Sequence, residues 1–182
     1  MKAKLLIVTG NLMKYRELSH GLSEFFECSQ VIYDEPEIQG KSEDIIKHKL
    51  KRAYETFKQP VLVDDVSVHM SALNGFPGPY MKDFFTYITP YNFGIKFAGT
   101  EMSGACFLGF TDGQIEIITE GKMDGIIVVP KEEHKDGKQF DIFFKLNGKD
   151  RVLEEFSTTE KNTFSHRGIA LENLIKILRE SK

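Results

Sequence analysis

The chain has 182 residues and a mass of 20.8 kDa, enough to bury a core as one domain or as two lobes around a shared core, which excludes a disulfide-stapled miniprotein. Hydrophobic residues make up 41% and charged residues 28%, the balance of a globular protein rather than a disordered or fibrous one. With 24 Lys+Arg against 27 Asp+Glu the net charge is −3, which argues against a general affinity for nucleic acid or an anionic membrane and still permits a local basic pocket.

In chain order, the apolar run Leu5 to Val8 reads as a strand, Thr9-Gly10-Asn11 as a tight turn, and the segment carrying Leu18, Leu22 and Phe25 on one face as a helix. Val31 to Tyr33 reads as a second strand, followed by the acidic loop Asp34-Glu35-Pro36-Glu37. Ser42 can then cap a helix with Glu43 and Asp44 in its first turn and Ile46, Leu50, Ala53, Tyr54 and Phe57 on its apolar face. Pro60 stops that helix, and Val61 to Val63 reads as a buried strand ending at Asp64-Asp65. Asn74 to Pro79 is a stiff turn-rich loop, and Tyr80 to Tyr87 an aromatic helix.

From Gly104 the alternation is strand-like: Asp112-Gly113 turns between Ala105 to Phe110 and Gln114 to Thr119, and Ile126 to Val129 is a further buried run. Phe140 to Phe144 reads as a core strand, and a helix carrying Ala170, Leu171, Leu174, Ile175 and Leu178 closes the chain. Strands alternating with helices, then a hairpin-rich stretch, give an α/β fold with a mixed sheet and a second lobe: a core of residues 1–75 plus 145–182, and a lobe of 76–144, within one domain. Cys28 and Cys106 have no zinc-type spacing and read as free thiols of a reducing cytosol. No apolar stretch approaches the roughly 20 residues of a membrane span, and Met1 to Lys4 runs straight into the first strand without a signal peptide, so a cytoplasmic location is expected.

Three groups of residues could carry chemistry. In Thr9-Gly10-Asn11-Leu12-Met13-Lys14 a strand, a Gly turn and a helix start offer N–H groups to an anion, and Lys14 in the first turn opposes the helix dipole by about 0.3–1 kcal/mol unless an anion lies there. Glu37 and the pair Asp64-Asp65 are acids of the kind that hold Mg²⁺ with waters and phosphate oxygens, and adjacent strand residues face opposite ways, so one of the pair faces a given site while the other orients a neighbour. Lys49, Lys82, Lys161 and His166-Arg167 are cationic, the last two placed in a helix first turn if Ser165 is its cap. Asp141 is costly to bury among aromatics unless it is hydrogen-bonded or binds something.

In this order the segments TGNLMK, PEIQG, VLVDD with LNGFPGPYMK, and EKNTFSHRGIAL make the chain resemble the inosine/xanthosine triphosphate pyrophosphatase family over nearly its whole length. The resemblance implies an elongated mixed central sheet flanked by helices, two lobes with a nucleotide cleft between them, and a homodimer. It also implies Mg²⁺-dependent hydrolysis of deaminated purine nucleoside triphosphates to monophosphate and pyrophosphate, with Mn²⁺ as a substitute metal. Carried over residue by residue, it gives Thr9, Gly10, Asn11, Lys14, Lys49, Lys82 and Lys161 to the substrate, chiefly its triphosphate, with Lys14 also catalytic. Glu37 and Asp65 fall on the metal-binding acids, Asp65 being also the residue that orients or deprotonates the attacking water. Phe140 falls where an aromatic stacks on the base, Asp141 beside it, and His166-Arg167 where the 6-oxo edge is read. Val66, Gln139 and Ile142 depart from the family pattern, which leaves open a pyrophosphatase for another modified nucleotide or a non-catalytic nucleotide-binding protein.

Overall fold

The computed structural model describes residues 2–33, 35–133 and 141–180. The N-terminal third is a parallel α/β unit. Strand β1 (Ala3–Val8) is followed by helix α1 (Leu12–Leu22), β2 (Phe26–Val31), helix α2 (Ser42–Phe57) and the long β3 (Val61–Met70), with β1 pairing in parallel with both β2 and β3. The antiparallel part then builds outward from β3. After the short β4 (Pro77–Gly78) and helices α3 (Met81–Tyr87) and α4 (Pro90–Phe97) come β5 (Glu101–Thr111), β6 (Glu116–Ile127) and β7 (Phe144–Leu146). Among the described residues the sheet has seven strands, in the order β2-β1-β3-β5-β6-β7, with β4 pairing on β3. Helices α5 (Thr158–Lys161) and α6 (His166–Glu180) complete the described chain.

Several elements lie elsewhere than the sequence pattern places them. β2 occupies Phe26–Val31, so Ile32 and Tyr33 follow it as loop, and α1 ends at Leu22, leaving Phe25 beyond the helix. The parallel partner decides this, since β1 pairs residue for residue from Ala3 with Phe26 to Val8 with Val31. Ser42 is the first residue of α2 and makes no capping hydrogen bond; Lys41 stands at the cap position. β3 does not stop at the acid pair. Val66 and Val68 keep the β-branched pattern going, and β5 pairs with every residue from Val61 to Met70. Ile126 belongs to β6, which runs unbroken from Glu116 with buried and outward residues alternating. Helix α4 lies where the sequence pattern predicts no element, although Thr89 Oγ1 caps it by accepting from Asn92 N and Pro90 stands in its first turn. Of the described residues of the expected aromatic strand, only Phe144 lies in β7; Asp141 to Phe143 form a turn.

Three apolar clusters hold the layers. On one face of the sheet Leu18 and Leu22 of α1 and Ala170, Leu171, Leu174 and Leu178 of α6 pack on Leu5, Ile7, Leu62, Leu108 and Phe110. On the other, Ile46, Leu50 and Ala53 of α2 cover Val61, Val63, Ala105 and Phe107. Farther along β3, β5 and β6 a cluster built on Phe93, Phe143, Phe144, Met70 and Met102 fills the space under α3 and α4. Burying a side chain such as Leu50 stabilises the fold by about 1.5–3 kcal/mol. Gly121 in β6 lets α6 approach closely: a Cβ there would stand 2.0 Å from the carbonyl oxygen of His166. That contact sets the depth at which the start of α6 meets the sheet.

Candidate active site

The parallel pairing of β1 with β3 ends at Val8 opposite Val63, while β3 continues on β5 alone. Asp64 and Asp65 are therefore in mid-strand, yet they sit just past the carboxyl end of the parallel unit, where an α/β sheet leaves a crevice for ligands. The crevice is a cavity of about 670 Å³, in the range of small-ligand sites. Both aspartates line it, together with Thr9, Gly10, Asn11, Lys14, Glu37, Lys49, Lys82, Asp141, His166 and Arg167.

The turn before α1 is self-satisfied. Asn11 Oδ1 accepts from Met13 N at 2.9 Å and Lys14 N at 3.2 Å, and Thr9 Oγ1 accepts from Asn11 N at 3.1 Å. Two of the N–H groups expected to face an anion are thus taken by the Asn cap. The anion that offsets Lys14 belongs to the protein: its Nζ lies 2.8 Å from Asp64 Oδ2. Asp64 also faces Arg167, whose Nε is 3.8 Å away, and Arg167 is ion-paired through Nη1 to Glu17 on α1. Glu17 is buried and was missed by sequence reasoning; the available signal was an acid one turn after Lys14, beside Leu18 on the covered face of α1. Burial pushes the Asp64 carboxyl up, but Lys14 and Arg167 outweigh it and hold it below the usual carboxylate range.

Asp65 points to the other side of the sheet, toward α2. Its Oδ1 accepts from Lys49 Nζ at 2.6 Å, and the same ammonium lies 2.7 Å from Glu37 Oε1. The remaining oxygen, Asp65 Oδ2, is buried without a hydrogen-bond partner among the described residues. Burial, aided by the Glu37 charge, pushes the Asp65 carboxyl above its ordinary value against the pull of Lys49. For Glu37 burial acts upward too, but Lys49 outweighs it and the carboxyl is lowered. An orphaned carboxylate oxygen beside a second acid suits a hard divalent cation. Among the described residues no three His, Cys, Asp or Glu side chains converge to hold a metal alone, so water or substrate oxygens would complete the shell.

At the far side, Ser165 Oγ caps α6 by accepting from Gly168 N at 3.1 Å, which puts His166 and Arg167 in the first turn as expected. Burial holds the His166 ring well below its usual pKa, with Arg167 and Lys14 adding to the effect, so the imidazole is neutral. Burial would lower the Arg167 value, but it is raised instead, with Glu17 and Asp64 among the groups that hold the charge. Lys161 is buried and ion-paired to Asp141, and Asp141, not Lys161, lines the cavity. That pair gives Asp141 the partner its semi-buried position demands. Lys82, in the first turn of α3, is exposed and lines the cavity rim. Val66, Tyr33, Glu35 and His48 also line the cavity. Phe140, expected to stack on a base, lies with Gln139 outside the described residues.

The model of the Ham1 family matches residues 5–177. The chain belongs to the Ham1 family. It is 35% identical to the inosine triphosphate pyrophosphatase of Schizosaccharomyces pombe, over 98% of this chain and 96% of that protein. It is 36% identical to the inosine triphosphate pyrophosphatase of Encephalitozoon intestinalis, over 94% of this chain and 90% of that one. A HAM1 protein from Coxiella burnetii superposes with a TM-score of 0.80 at 23% identity, covering 98% of this chain and 99% of its own, which places the fold among Ham1 structures.

Proposed function

We propose that this Ham1 protein hydrolyses deaminated purine nucleoside triphosphates (ITP, dITP and XTP) to the monophosphate and pyrophosphate, and so clears them from the nucleotide pool. One observation carries the reading. One cavity at the carboxyl end of the parallel strands is lined by Lys14, Lys49, Lys82 and Arg167 and by two buried aspartates, of which Asp65 keeps an oxygen, Oδ2, without a hydrogen-bond partner among the described residues. The names of the 32–36% identical relatives support the substrate class.

The division of labour follows from the side chains. Lys49 and Lys82 offer N–H donors and positive charge to the triphosphate, and Lys14, held by Asp64, offers the same beside the Asn11 cap. Asp65, with a free oxygen and raised basicity, orients the attacking water and accepts its proton as pyrophosphate leaves. Glu37 and Asp65 would hold Mg²⁺, or Mn²⁺ in its place, which when bound supplies Lewis-acid polarisation of phosphate and water. His166 and Arg167 face the base. The guanidinium only donates, so a 6-oxo acceptor is matched and a 6-amino donor leaves it unpaired, a penalty that discriminates strongly.

The homodimer belongs to the proposal through the family resemblance, and the cytoplasmic location through the two free thiols, Cys28 and Cys106. Near-balanced charge supports a small phosphorylated ligand over nucleic acid, and among the described residues no helix is long and apolar enough to cross a membrane. The test is incubation with inosine triphosphate, with and without Mg²⁺. Monophosphate and pyrophosphate, formed only with the metal, are expected; diphosphate and orthophosphate would reject the reaction.

A further inference from the structure

Four cations in and beside the cavity are paired with the protein's own acids: Lys14 with Asp64, Arg167 with Glu17, Lys161 with Asp141, and Lys49 with two acids at once. The last pairing differs in kind. The Lys49 ammonium lies 2.6 Å from Asp65 Oδ1 and 2.7 Å from Glu37 Oε1, between the two carboxylates that the proposed reaction assigns to the metal. Mg²⁺ takes oxygens at about 2.0–2.1 Å in a near-octahedral shell, so an ion held by Asp65 Oδ2 and by Glu37 stands against the ammonium that holds Oδ1 of the same carboxylate, and the two positive charges repel. The two acids come from separate elements, the loop after β2 and mid-β3, and α2 brings Lys49 between them. Without a cation there, the carboxylates repel each other across a half-buried site.

We infer that Lys49 is an internal counter-cation that leaves Glu37 and Asp65 as a divalent metal enters, and that the displaced ammonium then moves to the substrate phosphates. This rests on the metal site named under Proposed function. Three consequences follow from charge alone. Metal binding to the nucleotide-free protein is weak, because it must break two charge-assisted contacts and strand an ammonium. Triphosphate relieves that cost by giving Lys49 a new anionic partner. By reciprocity, metal strengthens triphosphate binding by the same factor, in the range of coupled sites generally.

The experiment uses nucleotide-free protein and MnCl₂, with bound Mn²⁺ followed by the loss of the free-ion electron paramagnetic resonance signal, so it needs no turnover. Lys49→Met and Lys49→Gln remove the charge; Lys49→Arg keeps it. Both neutral variants should bind Mn²⁺ about tenfold more tightly than the native protein and gain more thermal stability from it, whereas Lys49→Arg should stay at or below the native affinity. Neutral variants that bind Mn²⁺ no better than the native protein would overturn the inference while leaving the metal site in place, provided Asp65→Asn and Glu37→Gln weaken binding. If those two variants bind Mn²⁺ as tightly as the native protein, the acids do not hold the metal and the metal assignment and the inference fall together. Lys49→Gln keeps a polar group at the site and so serves if Lys49→Met fails to fold.

Discussion

Asp64 and Asp65 are neighbours in one strand, buried to almost the same degree, and their carboxyl groups shift in opposite directions. The alternation of a β-strand sends Asp64 to the α1 and α6 side, where Lys14 and Arg167 surround it and Glu17 completes the network. It sends Asp65 to the α2 side, where one lysine is divided between it and Glu37 and an oxygen remains unpaired. The Asp64 side is closed: its charges bind helix to sheet. The Asp65 side is open and has coordination to offer. Burial alone identifies neither role; the count of cations per carboxylate does.

The comparison breaks first on substitution. Asp65→Asn keeps shape and Lys49 keeps Glu37, so the fold should stand within about 1 kcal/mol. Turnover of inosine triphosphate should fall about 10³-fold, the order of a lost general base. Steady-state rates beside a melting curve check this, and unchanged turnover would remove Asp65 from the chemistry. Asp64→Asn should act the other way. It strips the carboxylate from two buried cations, which costs about 3 kcal/mol and sometimes more. Denaturant unfolding of the two variants side by side should therefore rank them in opposite order to their activities. Equal stabilities would show that the closed network does not hold α1 and α6.

What was legible in advance divides along similar lines. The strand-turn-helix at Thr9 to Lys14, the α2 stripe, the Asp112-Gly113 hairpin, whose Asp112 Oδ1 accepts from Gln114 N and Ile115 N, and the Ser165 cap were local patterns, and local patterns write themselves in spacing. The boundary of β2 and the continuation of β3 through its acids were set by partners distant in sequence, β1 and β5, and spacing cannot display a partner. At the site the cations and acids were legible as residue types, but which acid pairs with which cation was not. Lys14 and Arg167 already have carboxylates, one of them on Glu17, and only the three-dimensional packing of α1 against α6 brings Glu17 to Arg167.

A smaller effect sharpens the closed side. His166 is buried and neutral with a pKa well below its unfolded value. Below about pH 6.5 the unfolded chain binds a proton that the native ring refuses, so stability present above that pH is lost as pH falls toward the lowered native value. The slope attributable to this ring is about 1.4 kcal/mol per pH unit at its steepest. Asp64, depressed in the native state, adds acid sensitivity only below about pH 4, near the carboxylate's unfolded value. Unfolding curves from pH 7 to pH 5 should therefore steepen for the native protein and flatten for His166→Gln, with the Asp64 contribution absent from that window. A native slope that matches the variant's across the window would mean that the ring is protonated in the fold.

The smallest effect belongs to the open side. Lys82 is exposed at the start of α3, on the rim of the cavity, where burial neither strengthens its charge nor makes its loss costly. Lys82→Ala should leave the melting temperature unchanged within error. Its charge still faces the acidic wall at Glu37, where it helps to lower that carboxyl, and a triphosphate entering there would meet it directly. The expected outcome is a rise in KM for inosine triphosphate of about fivefold, about 1 kcal/mol, that shrinks as ionic strength is raised. A fall in kcat with KM unchanged would place Lys82 in the transition state instead of at the entrance, and would move the boundary between binding and chemistry outward from Asp65 to the rim.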